Sequence, residues 1–145
     1  MAGIGIMQNQ EYRFADLLDR INELSDDDAI SLYRKANRIC KGFSAKTHNK
    51  PRAKSKVYVV LLKVVGKKRS GYALYVGKTN RKTEERFQQH KDGYKASRYV
   101  KKYGVCLLPD LFEHLNPMSG AEATELEASI AEALKHAGVP TYGGH

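Results

Sequence analysis

The chain has 145 residues, a formal net charge of +9, 28% charged side chains and 41% apolar ones. That length supports one hydrophobic core, or one core with a helical extension, and the composition is that of a globular protein. No run approaches the roughly 18 consecutive apolar residues that a membrane span needs, Cys40 and Cys106 have no Cys or His at metal-ligand spacing, and the first six residues lack a signal peptide's charged leader and apolar core; a soluble, cytoplasmic protein with no zinc site is expected.

The charge is unevenly spread. Residues 1–50 hold 8 basic and 7 acidic side chains, residues 51–104 hold 16 and 3, and residues 105–145 hold 1 and 6. A block of +13 repels itself, and a polyanion is the commonest partner that offsets the repulsion. A merely solubilising surface is the competing reading. No basic segment also carries the broad apolar face that membrane-surface binding needs.

In chain order, Phe14, Leu17, Leu18, Ile21 and Leu24 recur at helical spacing over residues 11–24. Ser25-Asp26-Asp27-Asp28 then offers an N-cap and three carboxylates at the positive end of a helix dipole. The second helix places Ala29, Ile30, Tyr33, Ala36 and Cys40 on one stripe, with Arg34, Lys35 and Arg38 on the other face, and stops at Lys41-Gly42. These two form a helical hairpin packed on the main domain, too small to close a core alone. Residues 43–56 are polar and basic and read as a linker or flexible loop whose charge suits phosphates. The division is thus an N-terminal helical extension and basic linker, 1–50, and a main domain, 51–145.

Val57 to Val65 is β-branched and apolar, Gly66-Lys67-Lys68-Arg69-Ser70-Gly71 is a glycine-bounded basic turn, and Tyr72 to Val76 makes the return strand of a hairpin. Gly77-Lys78-Thr79 invites comparison with a phosphate-binding loop, but the upstream glycine of that motif is replaced by Tyr72. Thr83-Glu84-Glu85 opens a helix with a capping hydroxyl and early carboxylates; the helix carries Arg86, Phe87 and His90 and ends at Asp92-Gly93. Ser97 to Tyr103 is a shorter basic helix, Val105 to Leu108 a third strand, and Leu111 to Leu115 continues or neighbours it. Ser119 and Glu122 fit a capping box for a last helix that turns Leu126, Ile130 and Leu134 inward and finishes at Gly138.

Taken together, Val57-Tyr58-Val59, the hairpin, Tyr75-Val76-Gly77-Lys78, Arg86 with His90, and the late Glu122-Ala123-Thr124-Glu125-Leu126-Glu127 resemble the GIY-YIG nuclease superfamily, with a local likeness to the nuclease domain that opens the excision-repair enzyme UvrC. Ile130 and Pro140-Thr141-Tyr142 follow the same order, so the resemblance covers about residues 57–143. It implies an α+β fold, a small three-stranded antiparallel sheet flanked by helices, here with the N-terminal helical hairpin. It also implies an endonuclease of DNA repair or restriction that hydrolyses DNA phosphodiesters with Mg²⁺ or Mn²⁺. By position, Tyr58 and Tyr75 would be the motif tyrosines, Lys78 the lysine beside them, Arg86 the catalytic arginine, His90 the position that is His or Tyr, and Glu127 the metal ligand, with Glu125 as the alternative. Two positions depart from the pattern: Lys56-Val57 stand where the family has Gly-Ile, and Gly143-Gly144-His145 follow Tyr142 where many relatives carry a structural asparagine. Asn116 or Asn80 is the candidate replacement.

The residue types suit the chemistry independently. Arg86 offers a fixed cation with a planar donor fork for phosphate. Tyr58 becomes a base only where nearby positive charge, from Lys78 or a metal, lowers its usual pKa near 10. His90, four residues after Arg86 on one helix face, could deliver a proton or orient a neighbour. Lys67, Lys68 and Arg69 on the hairpin tip, Arg81 and Lys82 in the loop, and Lys95, Arg98, Lys101 and Lys102 on the short helix would contact DNA phosphates without choosing sequence. Recognition is then weak, structure-specific, or supplied by a homodimer or partner. A non-catalytic nucleic-acid-binding module and a protein-docking adaptor are the other readings.

Overall fold

The computed structural model describes residues 27–66 and 71–144. The helix expected over residues 11–24, the Ser25 cap and the tip cations Lys67, Lys68 and Arg69 lie outside the described residues. The chain forms α1 (Asp27–Lys41), β1 (Lys56–Val64), β2 (Gly71–Thr79), α2 (Thr83–Asp92), α3 (Arg98–Tyr103), β3 (Gly104–Leu107), a 3₁₀ turn (Pro109–Leu111), α4 (Gly120–His136) and β4 (Thr141–Gly143).

The fold is α+β, but the sheet has four strands and is mixed, in the order β3-β1-β2-β4. β1 pairs antiparallel with β2 from Lys56–Thr79 to Val64–Gly71 and with β3 on its other side. The strand beyond the expected three is β4, which runs parallel to β2, Leu74 to Thr141 through Val76 to Gly143. Its three residues are too few to show alternation. α4 delivers them, and Leu74 N–H donates to the Pro140 carbonyl as they enter the sheet.

Val57 to Leu62 are all buried, so both faces of β1 are covered. Side chains alternate across a strand, which puts Tyr58 and Val57 on opposite faces. Tyr58 meets His90 of α2, whereas Lys78, paired with Val57, meets Thr124 of α4. Hence α2 and α4 cover opposite faces. On α1 the expected stripe faces inward: Ala29, Tyr33, Ala36 and Cys40 belong to the same core as Ile130 and Leu134 of α4.

Several local expectations change. β2 continues through Gly77-Lys78-Thr79, so these residues lie on the strand and not in a loop. Thr83 is the first helical residue, not the cap, and its hydroxyl donates to Glu84. Leu111 to Leu115 forms successive turns, because Pro109 starts a 3₁₀ turn and Phe112 N–H bonds back to its carbonyl. Ser119 does cap α4, accepting from Glu122 N–H, but the Glu122 carboxylate turns away from the cap. It accepts from the Lys46 and Thr47 N–H groups at 2.6 and 2.7 Å, while the Thr47 hydroxyl accepts from Ser119 N–H. The supposed flexible linker is therefore pinned. Asn49 N–H also bonds the Pro117 carbonyl, and Ser55 pairs with Met118.

Candidate functional site

Tyr58 and Tyr75 sit on neighbouring strands and the same face, with ring centroids 6.2 Å apart. His90 completes the cluster, 6.0 Å from Tyr58 and 5.7 Å from Tyr75 between centroids. Gly77 is directly opposite Tyr58, and a Cβ there would lie 2.5 Å from the phenol's Cζ and Oη atoms. The tyrosine ring thus occupies space that any larger residue at position 77 would fill.

Tyr58 Oη lies 2.7 Å from His90 Nε2, and both residues are only 1% exposed. Ser97 N–H donates to His90 Nδ1 at 2.9 Å. An accepting Nδ1 carries no hydrogen, so the neutral imidazole holds its proton on Nε2 and donates it to the tyrosine oxygen. Burial, and next the Arg86 charge, pulls the His90 pKa down to about 4, which keeps the ring neutral. In this arrangement His90 cannot take a proton from Tyr58. It can orient the phenol and stabilise a phenolate.

Arg86 follows from one helical turn earlier. Its guanidinium donates to the carbonyls of Tyr94 (3.1 Å) and Lys95 (2.8 Å) and to Gln89 (3.2 Å). Its charge and a hydrogen bond favour the ionised form of Tyr58, but burial raises that pKa more strongly, and Tyr75 and Glu127 add to the rise. Tyr75 is raised by burial and by Glu127, with Ser97, Arg86 and Tyr58 opposing. Neither phenol is a base at neutral pH without additional positive charge.

Glu127 comes from α4. It is 5% exposed, and its charge acts on both tyrosines. Glu125, two residues earlier and on another side of the helix, is exposed, so the burial pattern singles out Glu127. Among the described residues no group of three or more His, Cys, Asp and Glu converges. One buried carboxylate suits a hard cation that keeps several waters and takes further oxygens from substrate, as Mg²⁺ and Mn²⁺ do. It does not form a closed protein cage.

Lys78 is not part of the cluster. Strand alternation turns it to the α4 face, where its ammonium donates to Thr124 Oγ1 at 2.8 Å. The cluster opens into a cleft of about 320 Å³ lined by Tyr75, Arg86, His90, Lys95, Ser97 and Arg98. Arg98 and Lys102 lie over the rings of Tyr99 and Tyr103, and Lys95 over that of Tyr94, at 5.1, 5.3 and 5.7 Å. Lys101 and Lys82 are exposed, and Arg81 is paired with Glu85 at 2.9 Å.

Two contributors were missed by sequence reasoning. Ser97 sets the tautomer of His90, and only its role as a helix cap was legible. Tyr99 stacks on Tyr142 at 4.1 Å beside the cleft. Asn116 accepts from Val57 N–H at 2.9 Å and donates to the Val57 carbonyl at 2.8 Å, gripping the strand one residue before Tyr58. Asn80 instead accepts from Ser55. Gly143 and Gly144 sit at positive φ, and a Cβ on them would come within 2.2 Å of the Val76 carbonyl and 2.3 Å of Ala131. A side chain at Gly143 or Gly144 would require the neighbouring backbone or Ala131 to shift.

Compared with family models, curated proteins and solved structures, the chain matches none.

Proposed function

We propose that this chain is a GIY-YIG-type endonuclease that hydrolyses DNA phosphodiesters with a Tyr/Arg/Glu site. The observation that carries the reading is the cluster of Tyr58, Tyr75 and His90, which opens through Tyr75 and His90 into the cleft that Arg86 lines, within the electrostatic reach of the buried Glu127. Tyr58, ionised beforehand and held as a phenolate by the hydrogen bond that His90 donates, would accept the proton of the attacking water and so become the neutral phenol. Arg86 would bind the scissile phosphate and offset the charge growing on its oxygens. Glu127 would hold Mg²⁺ or Mn²⁺, which supplies Lewis-acid stabilisation of that charge and the positive field that lowers the phenol pKa.

Burial of both phenols, which disfavours their ionisation, favours a second reading: a DNA-binding module on the same scaffold without catalysis. Plasmid nicking with added Mg²⁺ or Mn²⁺ separates the two. Wild type is expected to cut, while Arg86→Ala and Glu127→Gln lose about a hundredfold or more in rate and still fold. Equal activity in all three proteins rejects the nuclease. Binding without cutting by wild type supports the module.

A further inference from the structure

Residues 45–56 carry five basic side chains and no acidic one. A basic linker of that kind is ordinarily a mobile polymer. Here it is held from one end to the other: Lys46 and Thr47 N–H on Glu122, Asn49 N–H on the Pro117 carbonyl, and the Ser55 backbone exchanging both hydrogen bonds with Met118. His48 Nδ1 lies 3.2 Å from the Leu115 carbonyl. Asn49 and Arg52 take left-handed backbone conformations, φ 57° and 72°, which turn the segment between these anchor points.

The anchors are backbone groups and the short side chains of Thr47, His48 and Ser55, and the charged ends are left outward. Lys50, Arg52 and Lys54 are exposed, and none forms an ion pair among the described residues. Glu122 is occupied by backbone donors of the segment, chiefly Thr47, whose hydroxyl and N–H hold its carboxyl below the usual range. A rigid array of unneutralised cations repels itself and costs stability until a polyanion covers it. Because the backbone is already ordered, binding there would not have to supply the ordering entropy that a flexible arm demands.

Its position relates it to the cleft. The segment runs into β1, where Tyr58 is the third residue, and Ser55 is bonded to Asn80 just beyond the end of β2. The α3 cations approach the same cluster by another route, through Ser97 and His90. We propose that residues 45–56 form a second phosphate-contact surface, with Lys50, Arg52 and Lys54 engaging the DNA backbone at the strand-end side of the Tyr58 cluster. This rests on the DNA-directed reading above. It deepens that reading: the substrate is a strand long enough to reach from the anchored arm across the cleft to α3.

The test is the salt dependence of binding to a fluorescently labelled duplex, measured by anisotropy for the full-length protein without divalent metal. Each phosphate contact contributes about 0.9 to the slope of log affinity against log salt. Replacing all three residues, Lys50→Gln with Arg52→Gln and Lys54→Gln, is expected to lower the slope by about 2 to 3. The charge-preserving set, Lys50→Arg with Arg52→Lys and Lys54→Arg, should keep it. If wild type binds with a salt-dependent affinity and the neutralised protein has the same slope, the second surface is rejected while the DNA reading survives. If wild type does not bind DNA, both fall.

Discussion

His90 shows how much one backbone N–H can decide. Ser97 fixes the tautomer, and the tautomer decides whether the imidazole gives or receives a hydrogen bond at Tyr58. The same burial has a pH signature. The unfolded chain takes up the His90 proton below about 6.5, the folded chain only near 4. Stability from this residue is therefore complete above about 6.5 and lost as pH falls through that window, by up to about 3 kcal/mol at 1.36 kcal/mol per pH unit. Denaturant midpoints measured from pH 7 to about 4 should fall for wild type. They should fall distinctly less for His90→Gln, and equal slopes would show that His90 does not titrate differently on folding. The types Tyr58, Tyr75, Arg86, His90 and Glu127 were legible in the sequence. Their hydrogen-bond directions were not, because these depend on Ser97, seven residues beyond His90.

Among the elements, the start of β1 has the most unusual support. Its edge groups at Val57 are taken by the Asn116 side chain instead of a neighbouring strand. Asn116→Leu would leave a buried N–H and C=O without partners and cost about 2 kcal/mol or more. Thermal unfolding checks the stability. Because the grip is one residue from Tyr58, any DNA cleavage should fall in the folded variant as well. A variant as stable and active as wild type would show that the contact is dispensable. The identities of β1 to β3 and α1 to α4 followed from local sequence pattern, and the β1–β2 hairpin from its glycine-bounded turn, whereas Leu111 to Leu115 forms turns where a strand was expected. β4 and the anchored arm were not visible, since three residues show no period and the arm's order comes from Glu122, Pro117 and Met118, which lie far along the chain.

At the scale of the molecule, α1 shares its core with α4, whatever the boundary that composition suggested near residue 50. Tyr33, 1% exposed, packs in that core and reaches Asp110 with its hydroxyl at 3.3 Å. Tyr33→Ala should cost about 3 to 5 kcal/mol. It should also lower one cooperative transition seen alike by far-UV and near-UV circular dichroism. A separate early loss of helix signal, with the sheet unaffected, would mark α1 as an independent unit. Among the described residues no helix is long and apolar enough to cross a membrane.

The sequence by itself determined the α+β class, the elements that carry the site and the residue types in them, because hydrophobic period and turn chemistry act over a few neighbouring residues. Only the tertiary structure decided that the sheet is mixed, that Lys78 faces away from the tyrosines, that Glu127 and not Glu125 is buried, and that the basic arm is anchored. Each of those outcomes depends on strand register, helix phase or a bond between distant positions. Such relations are set when the whole core closes, and no local pattern contains them.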